Sequence, residues 1–235
     1  MVALLYDIHG NLTALEAVLD DAQRAGARRY ILGGDYTLFG PWPEETIDRL
    51  EALPYVEWIR GNGERWTADP ADAPDTELVQ NAVAACAEML GSERVRWLAD
   101  LPEETVLEGV RYCHASPVSD VRSFFPEPAD DEDELLADVT EPRLVFGHTH
   151  LAFRRQATTP GGSEVELLNP GSVGMPFDGD PRAAYALVAD GGGELKLRRV
   201  DYDHAGAAAA VREHFGGGWA ETVARRIESG QFDVD

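Results

Sequence analysis

The sequence predicts an α/β fold in which a parallel β-sheet occupies the first half of the chain. Short apolar runs alternate with amphipathic segments over residues 1–62, the order that is typical of a βαβαβ unit. The second half is rich in short strand-like segments, and a helical tail ends the chain. With 235 residues, of which 44% are hydrophobic, the chain can bury a substantial core, and we predict one domain over residues 1–235.

The first half begins with a short buried strand at 2–6. A helix follows from Asn11, a typical N-cap residue, and its apolar residues recur at three- and four-residue spacing. A second strand precedes Asp35, a helix begins near Pro43, and a third strand precedes Asn62. Because the strands of βαβ units are parallel, we expect their carboxyl ends to meet at one edge of the sheet.

The second half adds further helices and strands. Residues 75–101 have the pattern of two helices, and a tight hairpin follows with its turn at Glu108 and Gly109. Five more strands and two terminal helices are predicted at "RLVFGHTH", "AFRRQA", "EVELLNPGSVG", "AAYALVA", "ELKLRRV", 204–214 and 219–229. The segment "DGGGE", residues 190–194, is predicted to connect the last two strands.

The longest predicted loop covers residues 116–134. A loop of this length is uncommon in a compact domain unless it is functional or packed by its own side chains. Phe124 and Phe125 are expected to pack inward rather than to form a lid over a substrate. The acidic end of the loop is expected to be solvated or to begin a helix.

The charge balance excludes two classes of partner. The sequence has 43 acidic and 20 basic residues and a net charge of -23, whereas polyanion-binding and membrane-surface proteins need basic patches. We therefore expect no stable nucleic-acid complex and no membrane association. Cys86 and Cys113 are too few for a disulfide framework and are expected to be reduced packing residues. Without a signal-like start or an apolar run near the ~20 residues that span a bilayer, a cytoplasmic location is predicted.

Seven polar residues follow five predicted strands at the points where those strands end. They are Asp7, His9, Asp35, Asn62, His114, His148 and His150. In open α/β sheets, ligands bind outside the carboxyl ends of the strands, so these side chains are expected to converge. If "GHTH" stays extended, His148 and His150 point to the same side. An isolated pair of this kind is more typical of a surface turn, so the interpretation depends on the other five residues.

These residue types predict a metal centre. Two aspartates converging with four histidines and no lysine would leave buried carboxylates uncompensated, so cations must supply the missing charge. Glycines beside four of the five segments permit the tight turns that such convergence needs. Seven ligands exceed what one four-coordinate zinc uses, whereas two ions that share a bridging carboxylate would use all of them. Mixed nitrogen and oxygen ligation suits two divalent metal ions, with Mn favoured and Fe, Zn or Ni also suitable.

The order of the motifs resembles that of the calcineurin-like metallophosphoesterases. The family's series of D-x-H, G-D, G-N, a single His and G-H-x-H is matched by "DIHG", "GGD", "RGN", "CHAS" and "GHTH" over residues 7–150. The segment "NPGSVG" at 169–174 resembles the small bacterial and archaeal phosphodiesterases of this family. The resemblance implies an α/β fold in the form of a four-layer αββα sandwich, with two mixed β-sheets flanked by helices. It also implies a metal-dependent phosphoric ester hydrolase.

The resemblance assigns a role to each of the seven residues. The first metal ion would be bound by Asp7, His9 and His150. The second would be bound by Asn62, His114 and His148, and Asp35 would bridge the two ions. Asp35, Asn62 and His114 are also the predicted catalytic residues. Because two such ions hold a hydroxide between them, the implied reaction is in-line attack by this hydroxide on phosphorus, with no serine or cysteine nucleophile.

The sequence departs from the family at "GNGE". Many members have a histidine directly after the asparagine, where this chain has Gly63. Glu64 is expected to be exposed or paired with Arg65 rather than to replace that histidine as a proton donor. For Arg65, a salt bridge is expected rather than a phosphate contact. Small members that lack the histidine tend toward phosphodiester activity, so a phosphodiesterase acting on a small phosphoester or nucleotide is predicted.

Three other functions stay open on the sequence alone. Two keep the chemistry and change the substrate: a phosphomonoesterase, including a phosphoprotein phosphatase, or a dinucleoside polyphosphate hydrolase. The third is a metal-binding scaffold, because the retromer subunit with this fold resembles a phosphoesterase but works in assembly. That subunit departs from the ligand pattern, whereas every ligand position is filled here. A homo-oligomer is also open, since free strand edges can support a dimer.

Overall fold

The chain folds into ten β-strands and seven α-helices within the residues that the computed structural model describes, 1–191 and 193–234. The strands are β1 (Val2–Leu5), β2 (Arg29–Leu32), β3 (Val56–Trp58), β4 (Glu104–Leu107), β5 (Val110–Cys113), β6 (Arg143–Val145), β7 (Phe153–Thr158), β8 (Glu164–Asn169), β9 (Ala183–Val188) and β10 (Leu195–Val200). The α-helices are α1 (Leu12–Arg24), α2 (Pro43–Glu51), α3 (Asn62–Ala68), α4 (Glu77–Ala99), α5 (Glu132–Leu135), α6 (His204–Phe215) and α7 (Gly217–Ser229). A short 3₁₀ helix covers Pro70–Asp72.

The strands form two mixed sheets of five strands each. The first has the order β10-β9-β1-β2-β3, and the second has the order β4-β5-β6-β8-β7. In the first sheet β1, β2 and β3 are parallel, as the βαβαβ pattern predicts, and β9 pairs antiparallel to β1. In the second sheet β5, β6 and β8 are parallel, and the edge strands β4 and β7 are antiparallel. Both sheets therefore contribute parallel strand ends to one edge.

Alternation along β1 explains how the layers pack. Ala3 and Leu5 join the core under α1, α2 and α4, whereas Leu4 joins the core between the two sheets, where it meets Val145 and Leu168 of the second sheet. A third core lies on the outer face of the second sheet, under α5 and the segments beside it. This arrangement confirms the four-layer αββα sandwich of two mixed sheets, although the helical layer over the second sheet is thin.

Three details differ from the sequence prediction. Residues 75–101 contain one helix, α4, in which Gly91 has a left-handed backbone (φ 71°) and marks the expected break. The helix α3 was not predicted, and it begins at Asn62, after the short connection that follows β3. Phe124 is buried as expected, but Phe125 is 45% exposed, so its inward prediction was wrong. The predicted connection at 190–194 includes Gly192, which lies outside the described residues.

The two terminal helices, α6 and α7, pack against each other and against the loop that follows β8. Met175 belongs to their shared core, and Phe177 packs against it. Helix α7 ends at Ser229, and the amide of Gly179 donates a hydrogen bond of 2.8 Å to the carbonyl of Gly230. These contacts place the last residues beside the carboxyl ends of the strands. Within residues 1–191 and 193–234, no helix is long and apolar enough to cross a membrane.

Candidate metal centre

The structure brings all seven predicted site residues together. Asp7 and His9 follow β1, Asp35 follows β2, and Asn62 is the first residue of α3, while His114 follows β5 and the pair His148 and His150 follows β6. Six of the seven side chains are buried, and His148 is partly exposed. They converge because the carboxyl ends of β1 and β2 in one sheet face those of β5 and β6 in the other. Their roles as ligands stay predictions, which the geometry below supports.

The first group consists of Asp7, His9 and His150. The Nδ1 atom of His9 lies 3.0 Å from the carbonyl oxygen of Leu38, and that of His150 lies 2.6 Å from the carbonyl oxygen of Met175. Because a carbonyl oxygen only accepts hydrogen bonds, each Nδ1 must carry the proton, and each neutral ring keeps a lone pair on Nε2. The two Nε2 atoms nevertheless face each other at 3.0 Å. A cation between them would satisfy both lone pairs.

Protonation of His9 or His150 cannot take the place of that cation at neutral pH. Burial lowers the pKa of His9 to about 3, although the Leu38 carbonyl acts in the opposite direction. Burial also lowers the pKa of His150 well below its ordinary value, and the neighbouring His9 adds to this effect. Both rings are therefore neutral at neutral pH. The Oδ1 atom of Asp7 lies 3.6 Å from His150 Nε2, which is a separation that suits two ligands of one ion.

The second group contains His114 and Asn62. The Nδ1 atom of His114 lies 2.7 Å from the carbonyl oxygen of Gly33, so its Nε2 also keeps a lone pair. The amide of Asn62 lies 2.9 Å from this Nε2 and 2.8 Å from His148 Nδ1. The Oδ1 atom of Asn62 faces the lone pair of this Nε2, so two acceptors meet here as they do in the first group, and a cation between them would satisfy both. Burial lowers the pKa of His148 to about 3, which keeps this ring neutral too.

Two carboxylates lie between the groups. Asp35 directs Oδ2 toward His9 Nε2, at 3.8 Å, and Oδ1 toward His114 Nε2, at 3.6 Å. This position agrees with the predicted bridging role, although Asp7 Oδ1 also lies near both groups, 3.9 Å from His114 Nε2. Burial raises the pKa of Asp7 and of Asp35, and the charge of Asp35 raises that of Asp7 further. Divalent ions would supply the charge that these carboxylates lack.

Left-handed backbone conformations aim most of the ligands. Five of the seven residues have positive φ, at values from 53° to 68°: Asp7, His9, Asp35, His148 and His150. Non-glycine residues adopt this region rarely, and each instance costs on the order of 1–3 kcal/mol. The expectation that "GHTH" stays extended was wrong, because β6 ends at Val145 and both histidines turn. They meet their neighbours through turns and not through strand alternation.

Close backbone packing explains two of the motif residues. A Cβ atom at Gly147 would lie 2.5 Å from Asp7 Oδ2, so no side chain fits beside this carboxylate. The amide of His148 can then donate to the same oxygen at 3.0 Å. Ser172, from the "NPGSVG" segment, donates to the carbonyl of Asp7 at 2.7 Å and accepts a hydrogen bond from Met175. Both residues therefore fix the position of Asp7.

Glu64 has a role that the sequence did not indicate. The prediction that it is exposed or paired with Arg65 was wrong, because its side chain is buried under the candidate centre. Its carboxylate accepts three hydrogen bonds of 2.8 Å, from the backbone amides of Asp35, Tyr36 and Gly61. Burial and the charge of Asp35 raise its pKa to about 7, although two of these amides act against the shift. Glu64 therefore holds the Asp35 turn against the start of α3.

We expect Glu64→Gln to destabilise the protein by about 1–3 kcal/mol, because the glutamine NH₂ would face amide donors that lose their acceptor. Urea unfolding in EDTA, at a pH below the raised pKa of Glu64, measures this change without a contribution from bound ions. The difference should shrink as the pH rises toward about 7, because ionisation of Glu64, which its burial opposes, destabilises the wild type. Glu57→Gln, at an exposed carboxylate on β3, is the matched control and should change stability by less than about 0.5 kcal/mol. Equal stability of both variants would contradict this role.

Arg65 forms the salt bridge that the sequence predicts. It pairs with Asp120 through Nε at 2.7 Å and through its NH₂ group at 2.8 Å, and it also contacts Asp72. These carboxylates raise the pKa of Arg65, with the Asp120 hydrogen bond as the largest cause. The pair closes one side of the site next to His114. The guanidinium of Arg65 is therefore paired with carboxylates of the protein itself.

Comparison with known proteins places the chain in a family. The calcineurin-like phosphoesterase superfamily domain matches residues 1–191. An uncharacterised protein of Methanocaldococcus jannaschii is 28% identical over 225 residues, which cover 86% of this chain and 88% of that protein. The phosphodiesterase YfcE of Escherichia coli K12 is 27% identical over 201 residues, which cover 80% of this chain and 88% of YfcE.

A solved structure agrees with the sequence match. The crystal structure of a metallophosphoesterase from Sphaerobacter thermophilus superimposes with a TM-score of 0.81 and 26% identity, over 97% of this chain and 98% of that one. The match thus includes both sheets and the terminal helices. The buried Asp and His groups are of the kind that a metal-dependent member of this family needs. Since the family match spans most of its length, the chain belongs to the calcineurin-like phosphoesterase superfamily.

Proposed function

We propose that the protein is a phosphodiesterase that hydrolyses a small phosphodiester at a centre of two divalent metal ions. The observation that carries this proposal is that two neighbouring cavities adjoin the candidate centre. A first cavity of about 450 Å³ is lined by His9, Asp35 and aromatic residues, and a second of about 660 Å³ by Phe125, Leu151 and others. His148 lines both. A phosphodiester has an organic group on each side of phosphorus, which suits this arrangement.

The side chains divide the work at the centre. In the proposal Asp7, His9 and His150 hold one ion, Asn62, His114 and His148 hold the other, and Asp35 faces both. Two divalent ions bound there would activate a water molecule as the nucleophile and neutralise charge on the phosphoryl oxygens. The backbone carbonyls of Leu38, Met175 and Gly33 fix the tautomers of three imidazoles. Mn is the favoured metal, because imidazole, amide and carboxylate ligands occur together.

Nucleophilic serine or cysteine chemistry has little support in the described site. Ser172 is hydrogen bonded to the backbone on both sides. Cys86 and Cys113 are free and buried, and burial raises the pKa of both thiols, that of Cys86 to about 11. A thiolate is therefore scarce at neutral pH. This leaves water as the proposed nucleophile.

The substrate in this proposal is a small phosphoester or nucleotide, and not a nucleic-acid polymer. The net charge of -23 opposes binding of a long polyanion. The similarity to YfcE, whose name describes a phosphodiesterase, favours a diester over a monoester. A phosphomonoesterase, a dinucleoside polyphosphate hydrolase and a metal-binding scaffold are the alternatives that a substrate panel separates.

We expect EDTA-treated protein to lose hydrolysis of bis(nitrophenyl) phosphate and to recover it when Mn²⁺ is added, because no other group here activates water. Metal analysis before and after the treatment should show two ions per chain removed and restored. A parallel assay with nitrophenyl phosphate tests the monoesterase alternative. Full activity after exhaustive chelation would refute the mechanism, and two bound ions without turnover of any ester would favour the scaffold.

A further inference from the structure

The wall of the first cavity includes residues from the end of the chain, outside the segment 1–191 that matches the family. Arg226 of α7 and Phe232 of the terminal segment line this cavity together with His9, His150 and Asp35. The Arg226 Nε donates to the carbonyl of Phe232 at 2.9 Å. The terminal segment is thereby attached to α7 at the mouth of the site.

A continuous series of ring contacts joins these residues to the candidate centre. Phe177 stacks on His150, with ring centroids 4.3 Å apart and planes 17° apart. Phe232 meets Phe177 edge to face at 5.2 Å, and the guanidinium of Arg226 lies over the Phe232 ring at 4.2 Å. Such cation–π contacts fix the plane of the guanidinium. Arg226 is therefore held in place, and it is connected to His150 through Phe232 and Phe177.

Arg226 keeps unused donors in this position. Across residues 1–191 and 193–234, Nε is the only side-chain group of Arg226 with a hydrogen bond, and no side-chain carboxylate lies within ion-pair distance of the guanidinium. Arg65 and Arg111, in contrast, are paired with carboxylates that raise the pKa of each. Burial lowers the pKa of Arg226 instead, and the charge of Asp233, which acts in the opposite direction, does not offset this. A half-buried cation that has no ion pair among the described residues, in a chain of net charge -23, suggests that a ligand completes its hydrogen bonds.

The walls indicate what kind of ligand this is. The first cavity is lined mainly by aromatic and aliphatic side chains, including Phe39, Trp66 and Val79, and Phe232 is 55% exposed. Flat aromatic groups gain stacking energy on such surfaces, and arginine N–H groups pair with planar acceptors. An aliphatic group would leave the guanidinium unsatisfied, and a bare phosphate would not use the rings.

We propose that Arg226 and Phe232 form a subsite for a planar, hydrogen-bond-accepting substituent of the diester, the class to which nucleobases belong. The proposal rests on the proposed phosphodiesterase function. Phe232 provides a stacking surface and Arg226 provides donors to the edge of the substituent. The terminal segment would then select the substrate, whereas the metal ligands would perform the chemistry.

Two diesters with the same nitrophenyl leaving group test this subsite, one carrying thymidine and the other carrying methyl. The wild type should prefer the thymidine ester through a lower KM. Arg226→Gln and Phe232→Leu should each reduce the ratio of the two kcat/KM values by about tenfold, since stacking of a base is worth roughly 1–3 kcal/mol. Arg225→Gln, at the exposed neighbour that pairs with Glu221, should leave the ratio unchanged. Arg226→Lys keeps the positive charge but loses the planar set of N–H donors, so it should restore only part of the preference for the thymidine ester.

A second measurement separates the subsite from catalysis. Saturation-transfer NMR with thymidine on the metal-free protein should show binding to the wild type and to Arg225→Gln, and a loss in the Arg226 and Phe232 variants. An equal fall for both esters would mean that Arg226 contacts the phosphate, and would overturn the subsite. An unchanged ratio together with unchanged thymidine binding would overturn it as well. If neither ester is hydrolysed, the proposed function fails, while the thymidine experiment still decides the subsite.

Discussion

Asp35→Asn should reduce kcat/KM for phosphodiesters on the order of 10²–10³-fold or more, the loss typical of removing one preorganised charge-stabilising group. Asp35 is the side chain whose two oxygens face the two ligand groups separately, His9 on one side and His114 on the other. An asparagine keeps the shape of the carboxylate, and its oxygen can still accept the 2.7 Å hydrogen bond from the amide of Gly63. Its NH₂ group would then replace the oxygen that faces His9.

Metal analysis identifies the cause of that loss. Asp35→Asn should impair binding of both ions, whereas His150→Ala should mainly affect the first and His114→Ala mainly the second. Asp20→Asn, on the exposed face of α1, serves as the control and should retain both ions. Unfolding in EDTA should show no loss of stability in Asp35→Asn, because a neutral amide replaces a buried carboxylate. Two bound ions with unchanged activity in this variant would show that the assignment of the centre is wrong.

The activity of the wild type should fall steeply as the pKa of the leaving group rises. Gly63 occupies the position where many family members have the histidine that can protonate a departing alkoxide. General acid catalysis contributes roughly 10²–10⁴-fold, with the greatest benefit for poor leaving groups. Glu64, the neighbouring acid, is held by three backbone amides. We therefore expect nitrophenyl diesters to be hydrolysed far faster than alkyl diesters.

Gly63→His tests this explanation, with Gly63→Ala as its control. The φ of Gly63 is outside the left-handed region, so its backbone accepts a side chain. A Cβ there would lie 2.9 Å from Asp35 Oδ1, so this carboxylate must shift slightly in both variants. Relative to Gly63→Ala, the histidine variant should recover alkyl diesters preferentially when kcat/KM is measured across a series of leaving groups. A shallow dependence in the wild type would instead show that another group already donates the proton.

Much of the fold could be predicted because its elements have strong local signals. The helix α1 has apolar residues at helical spacing, and Asn11 caps it by accepting a hydrogen bond from Ala14. The hairpin turn at Glu108 and Gly109 has positive φ at both residues, as a two-residue turn between twisted strands requires, and Gly109 is the residue type that indicates it. The helix α3 has no such signal, because its seven residues are too few for a repeat and it begins with Asn-Gly, a pair typical of turns.

The seven predicted site residues do lie together in the structure, but the residues that position them or line the adjoining cavity were not predicted from the sequence. Their convergence could be predicted because each follows the carboxyl end of a strand, and strands have a recognisable sequence pattern. The role of Glu64 could not be predicted because its three hydrogen-bond partners are backbone amides, which every residue type except proline has. The contact of Phe232 and Arg226 with the first cavity depends on how α7 packs, and neither residue belongs to a motif. Tertiary contacts of this kind have no local pattern.

The left-handed backbone at five of the seven site residues has a consequence for protein engineering. Thermostabilising methods reward substitutions that relax the main chain, and glycine relaxes a positive φ more than any other residue. At Asp7, His9, Asp35, His148 and His150 such a substitution would relieve the backbone conformation but delete a candidate ligand. Under the proposed assignment, backbone relaxation and metal binding therefore compete at the same positions, and a stabilised variant of this protein would have to gain its stability elsewhere in the chain.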